Sequence, residues 1–270
     1  MQKLLHTLSD SSSTIQMILF AFSFFISWNI ENLYGISYKY KKWKHAFVNA
    51  RFIFTNMPLI FFLGAAFVFT IKWTGYHHFG ILYQLPFRHY RFIYFCSAFV
   101  FMDFGEYIYH ILMHKIKRLW LFHVVHHSDG IVDVSTVLRE HPGENIIRNS
   151  FTLLMVLLSG IGAWALLLRQ IIQTASNVFA HINYRLPLKL NNIVSYVFVT
   201  PNVHQVHHHY KRPYTDCNYG DVLTIWDRCF GTFGKLPAEE IMYGVDTHMH
   251  LCRNSSYKSL MQVPFSKIQK

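Results

Sequence analysis

Residues 151–182 read FTLLMVLLSGIGAWALLLRQIIQTASNVFAHI. The first part, Phe151 to Leu168, carries no charge over eighteen residues, close to the length of a membrane-crossing helix. Ile171 to Ile182 follows at once; it is too short to span alone and suits a return helix packed on its neighbour. The stretch therefore predicts a hairpin that enters and leaves the bilayer on one side. His181 comes back to the boundary where the hairpin began.

Working outward, Thr14 to Ile30 is a mainly apolar run of marginal spanning length and reads as a retained anchor, with no small-residue cleavage site after it. Phe52 to Ile71 is a stronger span, in which Pro58 is tolerated if a neighbouring helix satisfies the freed carbonyl. Phe92 opens a further apolar run that turns polar on one face at Asp103 and continues to about His114. The expected fold is all-α: an integral membrane helical bundle of about four membrane helices or hairpins with a cytoplasmic histidine-rich helical cap. Its divisions are an N-terminal membrane part with a basic loop (1–91), a histidine-bearing domain (92–236) and a C-terminal tail (237–270).

Composition points the same way. Of 270 residues, 52% are hydrophobic and only 14% charged, against roughly a quarter in an ordinary soluble domain; mean hydropathy is +0.19. The net charge of +11 sits between apolar runs, without a basic stripe carrying interleaved aromatics, so it reads as membrane-flanking charge and not as a nucleic-acid surface. Cys96, Cys217, Cys229 and Cys252 form no CxxC pair and read as free thiols. The densest lysine cluster begins Tyr38-Lys-Tyr-Lys-Lys-Trp-Lys-His and ends near Arg51. The positive-inside rule puts that loop in the cytoplasm, and the following spans then bring His110, His114 and His181 to the same face.

The histidines are spaced to act together. His110 and His114 are four apart on a helical pattern, so they share a face. His123, His126 and His127 in LWLFHVVHHSD stand at i, i+3 and i+4, and His204, His207 and His208 in TPNVHQVHHHY repeat that spacing. Neutral imidazole suits Zn, Cu, Fe and Ni, and eight such ligands exceed what one tetrahedral ion takes, so two metals are implied. His209 points about 100° away from His208 on a helix and is set aside. His6, His45, His77, His78, His89, His248 and His250 stand singly and read as surface or satisfied core residues. HExxH, GxGxxG, Walker A and GxSxG are all absent, which removes zinc proteases, dinucleotide and triphosphate binders and α/β-hydrolases from consideration.

The order of these motifs resembles the fatty acid hydroxylase superfamily, also called the sterol desaturase family. The resemblance covers roughly residues 92 to 236: the His110/His114 pair, LWLFHVVHHSD, STVLREHPGE, FAHINYRLP, TPNVHQVHHHY and DCNYGDVLTIWDRCFGTF. It implies a non-haem di-iron centre on the cytoplasmic face, with His110, His114, His123, His126, His127, His204, His207 and His208 as ligands and His181 as a ninth. Relatives often carry two adjacent histidines where this chain has Ala180-His181, so the ligand count at the second metal is open by one. Two iron ions, with zinc as the alternative occupant on purification, O2 as co-substrate and a lipid substrate are implied. Electrons are expected from a separate donor, a ferredoxin or a small haem protein with its reductase. The expected activity is hydroxylation or desaturation of a lipid C–H bond. The alternative, from another class, is a membrane metal-binding or transport protein without redox work.

Candidate partners for the ligand imidazoles follow from the need to fix each ring's tautomer. Asp103 and Glu106 lie seven and four residues before His110, on its helical face, and acids at membrane depth are costly enough to be functional. Asn183, Asp227 and His141 are further candidates, with Asp129, Asp133 and Glu140 behind them. His141 either caps the helix of the second cluster or bonds to a ligand.

Overall fold

The computed structural model describes residues 12–36, 40–248 and 256–265. His6, Tyr38, His250 and Cys252, singled out above, lie outside the described residues. The helices are α1 (Ser12–Tyr34), α2 (Lys42–His77), α3 (Arg91–Lys115), α4 (Lys117–His127), α5 (Pro142–Ser159), α6 (Ala163–Ala180), α7 (Leu188–Val194), α8 (Pro201–His207), α9 (Ile225–Cys229) and α10 (Tyr257–Gln262). Among the described residues there is no strand, only two isolated bridges, Phe198 with Leu223 and His209 with Tyr243.

Among the described residues, two segments are long and apolar enough to cross a membrane, Thr14–Tyr34 and Lys42–Tyr83. The polarity of α2 is inverted relative to a water-soluble helix. Phe61 and Phe62 are 79% and 74% exposed, while the buried residues include Asn49, Asn56 and Thr74. The buried amide donors are paired: Asn56 Nδ2 donates to the Glu140 carbonyl at 2.9 Å and Asn49 Nδ2 to Ser135 Oγ at 3.0 Å. Apolar rings outside and bonded amides inside match a helix solvated by lipid.

The basic segment expected as a loop over 38–51 is helical from Lys42 onward. Lys42 Nζ lies 2.9 Å from the Glu31 carboxylate and 4.1 Å above the Trp28 ring. These contacts tie the first turn of α2 to the end of α1, and the lysine stem covers apolar surface while its charge is paired.

The return helix is present, but it packs chiefly on α1 and α3 and not on α5, and the turn is not where the uncharged run suggested. Phe151 to Leu168 is not one helix: α5 stops at Ser159 and α6 starts at Ala163. Gly160 occupies the left-handed region at φ +69°, and its N–H closes the last turn on the Val156 carbonyl at 2.9 Å. Glycine is favoured there because a Cβ is penalised at positive φ. A Cβ on Gly160 would also run into the Phe79 carbonyl oxygen and the Tyr83 ring. Hydropathy ran through this stop signal because glycine counts as neutral.

α3, α5 and α6 pack around Ala98, Met102, Val156, Ala165 and Leu166, with α1 laid on α6 and α2 on α5. A second core of Phe52, Val124, Val125, Leu260 and Val263 joins α2, α4 and α10, so part of the 237–270 segment folds back onto the histidine-bearing helix. Gly160→Ala is expected to cost on the order of 1–3 kcal/mol, from the left-handed backbone and the clash together. Thermal unfolding of the detergent-solubilised chain measures it.

Candidate metal centre

Three helix ends and one cap converge. His110 and His114 occupy successive turns at the end of α3. The chain breaks at Ile116 and resumes as α4, which carries His123, His126 and His127. His204 and His207 lie on the short α8, with His208 at its C-cap, and His181 is the C-cap of α6. Thr200 starts α8 by accepting the Val203 N–H, and Pro201 at the first position suits that start.

These nine residues form two groups: His110, His114, His123, His127 and His207 in one, His126, His181, His204 and His208 in the other. Within each group the ligand nitrogens lie within 4.8 Å of one another. Helix geometry explains the division. Residues four apart face the same way and the one at i+3 or i−1 faces aside. So α4 sends His123 and His127 to the first group and His126 to the second, while α8 sends His204 and His208 to the second and His207 to the first. The groups share a wall, with the His127 and His208 rings stacked at 4.6 Å.

The protons on these rings can be placed from their outer partners. Nδ1–H donates to a carbonyl or carboxylate at His110 (Tyr219 O, 2.9 Å), His123 (Glu144 Oε1, 2.6 Å), His181 (Asn177 O, 2.7 Å) and His207 (Cys217 O, 2.7 Å). In a neutral ring Nε2 is then a bare lone pair. Yet His110 Nε2 faces His123 Nε2 at 3.2 Å. His181 Nε2 faces His126 Nε2 at 3.1 Å and His204 Nε2 at 3.0 Å. At His110 and His123, whose Nδ1–H groups are both engaged outside, the facing Nε2 atoms of neutral rings are lone pairs that cannot bond to each other; a cation between them resolves the repulsion. Two nitrogens each about 2.1 Å from one ion stand about 3.0 Å apart at a right angle and about 3.4 Å at the tetrahedral angle. The spacing fits a shared ion.

Burial adds to this. Both nitrogens of His114 and His127, Nδ1 of His204 and His208, and Nε2 of His207 are buried without a hydrogen-bond partner, a cost that ligation removes. Desolvation, helped by the neighbouring imidazoles, holds His126, His127, His204 and His208 well below the ordinary histidine range. It pushes His207 down to about 3. The rings are thus neutral at physiological pH, as metal ligands must be.

A cavity of about 230 Å³ opens onto both groups, touching His110 and His123 of one and His126, His181 and His204 of the other. Its opposite wall carries Glu106, Glu140, Glu144, Asp221 and Arg148. Arg148 pairs with Glu140 at 2.9 Å and stands 3.5 Å from both Glu106 and Glu144. One cation therefore gathers the carboxylates that face the histidines.

The five further candidates from sequence bond elsewhere. Asp103 accepts from the Val222 N–H and Trp226 Nε1, and Asp227 from the Tyr219 and Gly220 N–H groups and Thr232 Oγ1. Both build the 219–232 loop whose Tyr219 carbonyl receives His110. Glu106 holds Thr152 Oγ1 at 3.1 Å and Arg169 at 3.3 Å. Asn183 donates to Glu31 and to the Ile36 carbonyl, joining the end of α6 to α1. His141 caps α5, not α4, by accepting the Gly143 N–H.

Asp216 stands 3.5 Å from His114 Nδ1, and the carboxylate that bonds to a clustered histidine is Glu144, which sequence reading passed over. It stands twenty-one residues from His123, and its place in the first turn of α5 is explained by the helix dipole alone. The carbonyls of Asn177, Cys217 and Tyr219 leave no residue-type signal at all. His45, read as a lone histidine, clamps the loop after α4: its Nε2 lies 2.7 Å from Asp129 and its Nδ1 3.0 Å from Asp133. Burial would raise the Asp129 carboxyl, but His45 and Arg139 beside it carry it below the usual range. His209 lies outside both groups and accepts the Met242 N–H.

Residues 95–232 match the fatty acid hydroxylase family profile, just over half of the chain. The chain belongs to this family. It is 29% identical over 207 residues to alkylglycerol monooxygenase of Homo sapiens, covering 73% of this chain and 41% of that protein. Ornithine lipid hydroxylase OlsE of Rhizobium tropici is 30% identical over 141 residues, 51% of this chain and 41% of the relative. Cholesterol 25-hydroxylase of Homo sapiens is 26% identical over 149 residues, 54% and 53%. The match thus spans about two fifths to half of each relative's length. No solved structure gives a significant match.

Two measurements bear on this geometry. Because burial lowers the folded-state pKa of His207 to about 3, the unfolded chain binds more protons from about pH 6.5 downward. Stability of the metal-free chain is therefore full above pH 6.5 and is lost as pH falls toward 3, which unfolding midpoints at pH 7.5 and 5 will report. Glu144→Gln, which removes the charge that holds the His123 proton, is expected to weaken metal retention about 10- to 100-fold, measured by chelator competition.

Proposed function

We propose that this family member is a membrane-bound lipid hydroxylase whose two histidine groups hold two iron ions. The observation that supports it most is that the groups share a wall and open into one cavity, so both ions would face the same substrate carbon. The first ion would be held by His110, His114, His123, His127 and His207, the second by His126, His181, His204 and His208. Iron at both positions supplies the O2-dependent oxidation of an unactivated C–H bond. The names of the relatives, a monooxygenase and two hydroxylases of lipids, favour hydroxylation over desaturation.

The protein's own residues prepare this chemistry. The acceptors Tyr219 O, Glu144, Asn177 O and Cys217 O hold each Nδ1 proton away from the metal, aiming Nε2 inward. Arg148 keeps Glu144 and Glu140 in place along the cavity wall. His127, His207 and His208 are fully shielded from solvent, so water reaches the centre only through the cavity. We place the histidine end on the cytoplasmic face, beside the lysine-rich start of α2, with α1, α2 and the α3/α5/α6 helices forming about four membrane passages or hairpins. A separate protein supplies the electrons there. The metal-transport alternative is not favoured: both groups sit together at the ends of α3, α4, α6 and α8, and do not line a path along them.

The test is the full chain in membranes, supplied with Fe(II), a reductase system and lipid extract, with oxygenated lipid read by mass spectrometry. His126→Ala and His207→Ala, one from each group, should each cut product at least roughly 100-fold and lower bound iron, with unchanged membrane insertion. Full iron and activity in both variants would refute the assignment.

A further inference from the structure

The other cavity of note lies at the far end of the helices from the histidines. It encloses about 290 Å³ and is lined by Tyr83, Arg88, His89, Arg91, Tyr94 and Trp164. Arg91 opens α3 and His110 lies nineteen residues further along the same helix, roughly 28 Å of axial rise. That separation is about the thickness of a bilayer's hydrocarbon core. With the histidine end at one membrane boundary, this cavity is at the other.

Its charge is uncompensated. The chain has no Asp or Glu from Asn32 through Met102, and none from Asn145 through Thr215. The end of α2, the 78–90 connection, the start of α3 and the α5/α6 turn, which surround the cavity, all fall inside those two stretches. Arg88 is half-buried, and its guanidinium lies 4.9 Å above the Tyr83 ring; no carboxylate pairs with Arg88 or Arg91 among the described residues. A partly desolvated guanidinium without an anion calls for one from outside.

The remaining groups suit an oxyanion. Tyr94 Oη accepts the Gly162 N–H at 2.8 Å, which leaves its own proton to donate into the cavity. Two guanidinium forks and a phenol present several donors to one centre, the pattern that matches the oxygens of a phosphate. Trp164 stands 5.7 Å from the Tyr94 ring, and such aromatics favour headgroup depth. Outside the cavity, Phe79, Ile81, Tyr90 and Phe92 are 44–79% exposed. An apolar rim of this kind meets acyl chains, and so favours a phosphate that carries them.

We propose that Arg88, His89, Arg91 and Tyr94 form a binding site for the phosphate ester of an anionic lipid headgroup, at the membrane face opposite the histidine centre. The site depends on the membrane reading of the helices but not on the metal reading. Inorganic phosphate would meet the same donors, so the experiment must separate the two sources.

The full chain in a non-ionic detergent is titrated with phosphatidylglycerol, phosphatidylcholine or inorganic phosphate, and retention is counted by native mass spectrometry. One phosphatidylglycerol per chain should be held about 10- to 30-fold more tightly than phosphatidylcholine, given roughly 1 kcal/mol for each interfacial cation. R88Q/R91Q should lose that preference, R88K/R91K should keep part of it, and K189Q/K235Q, which removes two exposed charges elsewhere, should keep all of it. Iron content should be unchanged in every variant, so failure here is distinguishable from failure of the hydroxylase assignment. Equal retention of the two lipids, undiminished preference in R88Q/R91Q, or saturation by inorganic phosphate at the same concentration as by lipid would overturn the proposal. Loss of helical signal in R88Q/R91Q shifts the decision to R88K/R91K, where loss of all preference would also count against it.

Discussion

The Nε2 lone pairs of neutral His110 and His123 stand 3.2 Å apart and repel one another, and three further pairs of imidazole nitrogens approach to 3.0–3.1 Å. In this protein that repulsion is built into a region sealed from water. Protonating the rings would replace one repulsion by another, since each buried imidazolium would face several more and lack solvent. Cations between the rings satisfy all of them together. Much of the surrounding structure is arranged to keep the rings neutral, aimed and close. Four outer acceptors hold Nδ1 protons, and Asp129 and Asp133, clamped by His45, fix the chain just after His127.

The division into two groups depends on helix ends more than on helix bodies. α3 and α4 meet at a single extended residue, Ile116, which turns the second helix so that His123 comes opposite His110. The brevity of α8 has a similar effect: with His208 already at its cap, the last imidazole is freed from strict helical phase. The nine imidazoles bring no negative charge. The carboxylates Glu106, Glu140, Glu144 and Asp221 across the cavity supply a counter-field, and Arg148 keeps them from repelling one another apart.

The two ends of the molecule are electrically different. Acids gather around the histidine end, whereas the segments that line the far cavity carry none. Between them, α2 turns phenylalanines outward and amides inward. Buried Phe52 is the exception and packs it on α4 and α10, while bonded amides such as Asn49 and Asn56 hold it against the loop between α4 and α5. The same frame thus places a cavity lined by histidines and acids at one end and a cavity lined by arginines and aromatics at the other.

Local pattern determined a good deal by itself. The i, i+3, i+4 spacings placed the histidines on shared helical faces, and the apolar runs marked α1, most of α2 and α3, because both signals act within a few residues of one another. The hairpin was legible as a pair of helices, but its turn was misplaced, since hydropathy ignores what Gly160 does at positive φ. Only the tertiary structure decided which imidazole joins which group, because that depends on how α3, α4, α6 and α8 meet. It also decided that Glu144 and three backbone carbonyls, not Asp103 or Asn183, hold the ring protons. Hydrogen-bond partners twenty or a hundred residues apart are chosen by the packing of whole helices, and a carbonyl looks the same in every residue.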